Sequence, residues 1–171
     1  KPNNDVSEVL NKIKYRSVKL LILLINKNHF SLNASIYFPS SDVPFTRIYE
    51  PKNRSPFMCP EDKTSIVIEF PYFSNELKFE DSDYLLKVAT DYLTSNKLLL
   101  KNDIIDSHTV DMPYAYPVLD IKTAENIKIV KQYLKTIKNL HNIGRSAEFE
   151  YLHVHDLFDR AKKLTKYIKN H

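Results

Sequence analysis

The hydrophobic pattern changes period several times along this chain. SVKLLILLIN, Ser17 to Asn26, is a nearly continuous apolar run of strand length, which predicts a central strand covered on both faces. Ala34, Ile36 and Phe38 alternate with Asn33, Ser35 and Tyr37, the period of two of a half-buried strand, and Pro39 ends it. PSSDVP (39–44) reads as a turn and Thr46 to Tyr49 as a further short strand. TSIVIEF (64–70) alternates Ile66, Ile68 and Phe70 against Ser65, Val67 and Glu69. The first half is thus expected to be an antiparallel sheet. EPKNRSPFMCPEDK interrupts it with three prolines in fourteen residues and no apolar period, so it is a long, stiff excursion of the kind that often carries function.

The remaining segments have a helical period. VSEVLNKI (6–13) predicts a short amphipathic helix with Ser7 as its cap. Ser82 is expected to cap a helix to about Ser95 with Leu85, Ala89 and Tyr92 inward, and a strand follows near Ile104 to Val110. Ile127, Val130, Leu134 and Ile137 recur at helical spacing, as do Leu157, Ala161, Leu164 and Ile168. NLHNIG between these two helices reads as a short strand and a glycine turn. The fold class is therefore α+β, an antiparallel sheet with packed helices plus a C-terminal strand-turn-helix. The proline-punctuated MPYAYPVLD (112–120) places a boundary between residues 1–118 and 119–171.

Composition narrows the functions available. Hydrophobic residues make up 43% of the 171, enough for a real core, yet the longest apolar run, Leu20 to Ile25, is far short of the roughly 18 residues of a membrane helix. No membrane span is expected. KPNNDVSEV lacks the basic start and apolar stretch of a secretion signal and reads as a cut or processed end. A single cysteine, Cys59, excludes an intrachain disulfide and a thiolate zinc cluster, so a cytoplasmic location is expected. The net charge of +4 is spread over helices with acids interleaved, a solvated surface rather than a nucleic-acid footprint. One glycine stands where average usage predicts about 12, which excludes glycine-rich phosphate loops.

That glycine, Gly144, precedes Arg145, and a chain that uses glycine nowhere else needs it here for a positive φ, for a close approach, or for a simple strand-end turn. His153 and His155 form an H-x-H pair, half a metal site on a strand. No third ligand is close in sequence, so no metal is expected. Arg47, Tyr49, Glu50 and Lys52 make a charged, aromatic loop that either lines a substrate pocket or pairs internally, Arg47 with Glu50. Ser55 and Cys59 lack the setting of a nucleophile, and no catalytic residue is assigned.

NIGRSAEFEYLHVHDLFDRA resembles the C-terminal flavin-contacting signature of the superfamily of protoporphyrinogen oxidase, flavin amine oxidase and UDP-galactopyranose mutase. KYRSVKLLILLINK, IYFPSSDVPFTRIYEPKNRSPFMCP, KTSIVIEFP and AYPVLD resemble, in order, the substrate-domain strands and loops of bacterial members. The resemblance covers about Lys14 to Ala161, and RIYEPKN is its most specific part outside the Gly-Arg segment. It implies FAD as cofactor, with Gly144, Arg145, His153, Val154 and His155 against the flavin. Tyr151 falls where mutase-like members contact substrate phosphate, although an aromatic there also serves packing. Arg47 and Tyr49 are the further substrate candidates. Arg145 either contacts the cofactor or an anionic substrate, or pairs with Glu148 or Glu150 on the surface. His153 stands where the mutases have an acid, which leaves the oxidase branch open.

The expectation is therefore a substrate-domain fragment of an FAD-dependent enzyme acting on a small molecule, by hydride-transfer oxidation or by flavin-nucleophile mutase chemistry. The fragment lacks the dinucleotide-binding half, its expected partner, and alone is expected neither to hold FAD tightly nor to turn over. The alternative is a noncatalytic module that binds a sugar, a nucleotide or a protein. An orphaned strand edge and an apolar helix face predict a homodimer.

Overall fold

Eleven residues, Tyr15–Ile25, form strand β1, an apolar run long enough to cross a sheet and held between two neighbouring strands. The computed structural model describes residues 4–73 and 75–170. Helix α1 (Asn4–Lys12) precedes β1, and β2 (Ser35–Tyr37), β3 (Arg47–Tyr49) and β4 (Thr64–Tyr72) follow it. Next come α2 (Ser82–Ser95), β5 (Ile104–Pro117), α3 (Ile121–Lys135), the one-turn α4 (Arg145–Glu148) and α5 (Val154–Lys169). Ser7 lies inside α1, not at its cap, because the helix begins at Asn4.

The sheet has the order β2-β3-β4-β1-β5. β1 and β4 pair antiparallel with Leu21 opposite Ile68 and Leu23 opposite Ile66, and β3 joins β4 with Ile48 opposite Ile68. That register puts Leu21, Leu23, Ile25, Ile48, Ile66, Ile68 and Phe70 on one face, each at most 1% exposed. Helix α2 covers them with Leu85, Ala89 and Leu93; Leu93 replaces Tyr92 as the third position of the stripe, and Tyr92 sits beside it against Phe38 and Phe45. The cap of α2 is Asp81, whose carboxylate accepts from the amides of Asp83 and Tyr84, while Ser82 bonds Thr109 at 2.8 Å. A carboxylate one residue upstream is the stronger acceptor for the first-turn N–H groups and displaces the serine.

β5 runs seven residues further than the pattern predicts, through Pro113 to Pro117. It lies at the edge of the sheet, where a proline forfeits no ladder hydrogen bond and an alternating pattern is not required. Leu140 to Ile143, expected as a strand, is irregular; HNI has too few residues and no partner strand to pair with, although the glycine turn and the helix after it form.

The chain divides into two compact units, Tyr15–Tyr116 and a second made of the N-terminal segment to Lys14 with Pro117 onward. In the second, α1 packs on α3, burying Val6, Val9, Ile127 and Val130, and the Val118 amide bonds the Lys14 carbonyl at 2.9 Å. No side chain of α5 is buried; Val154, Phe158, Tyr167 and Ile168 are all more than half exposed. Among the described residues no helix is long and apolar enough to cross a membrane.

Candidate functional site

Two groups of the predicted site residues are brought together, one in each unit. In the sheet unit, RIYEPKN splits by strand alternation. Arg47 and Tyr49 project to the face away from α2, while Glu50 and Lys52 turn inward and are 1% and 7% exposed. Arg47 does not pair with Glu50. It pairs with Glu69, directly opposite in the β3–β4 register, through Nε–Oε2 at 3.0 Å and a second bond from Nη2 to Oε1. The Glu69 carboxylate holds the guanidinium still more firmly protonated. Sequence alone marks Glu69 only as an outward position of an alternating strand; naming the pair requires the register.

The Arg47 guanidinium carbon also lies 5.8 Å from the Tyr37 ring centre and 5.1 Å from that of Tyr49, with Arg54 at 5.5 Å from Tyr49. Burial, then the Glu69 charge, pushes the Tyr49 hydroxyl up from its ordinary value, with Arg47 and Arg54 opposing. Tyr49 is thus a neutral donor beside two cations. Tyr37 and Arg16 line a neighbouring cleft of about 610 Å3 with Pro39, Ser40 and Pro71. Such a surface suits an anionic ligand with a flat ring.

In the other unit, Gly144 has φ +106° and ψ 162°, a conformation that L side chains rarely adopt. A Cβ built on it meets nothing within 4 Å, so its need is conformational and the space it faces is open. Gly144→Ala is accordingly expected to cost about 1–3 kcal/mol through backbone strain alone, read as a lowered urea midpoint with an unchanged slope. Phe149, at φ +51°, ends α4 in the left-handed region.

Acid–base pairs fix this turn. The Gly144 amide donates to Glu148 Oε2 at 3.1 Å, Arg160 of α5 holds Glu148 and Glu150, and Lys131 of α3 bonds Glu150 at 2.9 Å. Glu148 and Glu150 are therefore taken by Arg160 and Lys131, not by Arg145. The Lys131 hydrogen bond, then that of Arg160, lowers the Glu150 carboxyl below its ordinary value of 4.5. Since the folded state keeps this carboxyl ionised to lower pH than the unfolded chain does, its contribution is complete above that value and is lost as pH falls through the folded one. With Glu150 44% exposed the effect is small, about 0.5 kcal/mol. An acid titration of unfolding midpoints in the wild type and Glu150→Gln should show the difference vanish at low pH.

Arg145 lies with its guanidinium 4.7 Å from the Tyr151 ring centre. Tyr151 meets His153 edge-on at 5.7 Å, and His153 stacks on His155 at 5.6 Å with planes 8° apart. These four residues form an exposed ladder across the start of α5, where His153 is the cap residue and Val154 the first helical one. The H-x-H pair is thus not on a strand, and parallel rings do not converge their nitrogens on one point. Among the described residues no group of three metal-ligating side chains exists. Asp156, the acid of the first turn, is turned onto the His153 amide at 3.0 Å. The N–H groups of Val154 and His155 have no partner within the helix by its geometry. The resulting donor set is one guanidinium, first-turn amides at a positive dipole end, and open space beside a glycine. Such a donor set suits an anionic group.

The antiparallel sheet covered by α2 is a fold shared with two solved structures. A reduced UDP-galactopyranose mutase superposes on 81% of the chain with TM-score 0.68 at 19% identity. A protein assigned as protoporphyrinogen oxidase from Exiguobacterium sp. 255-15 superposes on 82% with TM-score 0.62 at 14% identity. The chain belongs to the UDP-galactopyranose mutase family, whose model matches residues 5–151. It spans 29% and 32% of the two solved structures, about a third of their length. Comparison with curated protein sequences gives no match.

Proposed function

We propose that this chain supplies the substrate-binding sheet and one wall of the flavin pocket of an FAD-dependent enzyme of the mutase family. The observation that carries the reading is the Arg145–Tyr151–His153–His155 ladder at the start of α5, beside the positive-φ glycine. Arg145 and the first-turn amides of Val154 and His155 would hold the flavin where its reduced form is anionic. The cofactor itself supplies the redox or nucleophilic chemistry. Tyr151, carried next to Arg145, positions an anionic group of the substrate; within the sheet unit, Arg47 and Tyr49 are the substrate-binding side chains. The uncovered apolar stripe of α5 receives the dinucleotide-binding half, because a single glycine cannot build the pyrophosphate turn within this chain. Without that half the stripe is the surface through which two copies associate.

Titration of the purified chain with FAD tests this reading. No micromolar binding is expected from the chain alone, and a bound-flavin spectrum is expected once a dinucleotide-binding half is supplied as a separate chain. Tight binding of FAD by the chain alone, or none in the mixture, would count against it.

A further inference from the structure

Lys52 is 7% exposed, and its ammonium is enclosed by five oxygens. They are the Asn28 carbonyl at 3.1 Å and its side-chain amide oxygen at 2.9 Å, with the carbonyls of Pro60 at 3.0 Å, Glu61 at 2.7 Å and Lys63 at 2.9 Å. An ammonium has only three protons to donate. Five acceptors at hydrogen-bond distance therefore share them, and the attraction between one positive charge and five converging dipoles holds the group, rather than three directed bonds. A sphere of the same charge satisfies such an arrangement equally well. Every oxygen is neutral, and Lys52 forms no ion pair among the described residues. A cage of carbonyl dipoles without a carboxylate suits a monovalent cation, since nothing in it compensates the dehydration of a divalent one.

We propose that these five oxygens form a monovalent-cation cage whose built-in occupant is Lys52, and that the cage accepts a free potassium or ammonium ion once this side chain is shortened. The oxygens come from two segments far apart in sequence, the turn after β1 at Asn28 and the end of the proline-rich excursion at Pro60 to Lys63. Both converge on the Pro51–Asn53 turn that carries Lys52. Its neighbour Asn53 ties the same turn to the Ser31 and Asn33 carbonyls at 2.7 and 3.0 Å. The cation is thus the joint between two loops, and a free ion in its place restores the joint without a covalent tether.

The test is thermal unfolding of Lys52→Ala in potassium, ammonium, sodium and tetramethylammonium chlorides, each at about 0.1 M so that ionic screening is matched. The variant is expected to melt lowest in tetramethylammonium, which is too large to enter. In potassium or ammonium its midpoint should rise by about 4 °C or more and keep rising with the logarithm of the ion concentration, as a ligand of the folded state requires. The wild type should melt at one temperature in all four salts. A folded variant with one midpoint in all four salts would overturn the proposal. Should Lys52→Ala not fold in any of them, the wild type decides: the caged ammonium is expected to give a slowly exchanging proton–nitrogen signal at neutral pH that Lys52→Arg removes. Absence of that signal overturns the cage.

Discussion

Glu50→Ala is expected to destabilise the sheet unit by about 3–5 kcal/mol, a large part of the roughly 5–15 kcal/mol available to a domain. The carboxylate is 1% exposed and accepts from the Phe30 amide at 3.1 and 3.2 Å, the Ser31 amide at 2.9 Å, the Thr64 hydroxyl at 2.6 Å and the Asn53 side-chain amide at 3.3 Å. His29 Nδ1 lies a further 3.4 Å from it. Alanine leaves the buried Thr64 hydroxyl and the half-buried Phe30 and Ser31 amides without this acceptor, and each such group costs about 1–3 kcal/mol. Glu50→Gln keeps the shape and one acceptor oxygen and is expected to lose less. Urea unfolding of the two variants and the wild type measures this. A loss below about 1 kcal/mol for the alanine variant would mean that water replaces the carboxylate and that the 28–33 loop is not held from within.

Phe45→Ala is the second large effect, about 3–5 kcal/mol. Phe45 is fully buried and meets Phe38, Phe70 and Tyr92 edge-on with ring centres at 4.9, 5.7 and 5.2 Å. The ring joins the β2–β3 connection to β4 and α2, so its removal opens a cavity where three elements meet and forfeits three aromatic pairs. Phe45→Leu refills most of the volume and should recover about half of the loss. Thermal unfolding followed by near-ultraviolet circular dichroism reads both the midpoint and the aromatic packing. A cost for Phe45→Ala equal to that of Phe45→Leu would show that the neighbouring rings collapse into the space.

The two effects show where the sequence was legible. The apolar run of β1 and the alternation in β4 are open signals, because both strands lie against a covered face, and helices α2 and α3 were legible for the same reason; α5 shows its helical period although none of its side chains is buried. Residues set by long-range geometry were not. The partner of Arg47 depends on which residue β4 places opposite it, and Glu50 and Lys52 look like surface charges until the excursion folds back over them. β5 hid its length because an edge strand need not alternate. Gly144 was legible as a position that needs glycine, but not for which of a positive φ, a close approach or a strand-end turn; its φ of +106° and the open space before a Cβ are seen only in the structure. The ladder from Arg145 to His155 was visible only as a row of residue types. Whether Arg145 faces Glu148, Glu150 or Tyr151 is decided by Arg160 and Lys131, which take both acids and leave the tyrosine ring to the guanidinium.

The central claim is that this ladder forms one wall of a flavin pocket, completed by a second chain segment. Nuclear magnetic resonance of the labelled chain, titrated with FAD in the presence of a dinucleotide-binding half, tests it residue by residue. The amides of Gly144, Arg145, Tyr151, Val154 and His155 are predicted to shift together and saturably, and Arg145→Ala should abolish the shifts at the start of α5 while the Tyr15–Tyr116 unit keeps its spectrum. A flavin-bound mixture in which the amides from Gly144 to His155 do not move would contradict the account.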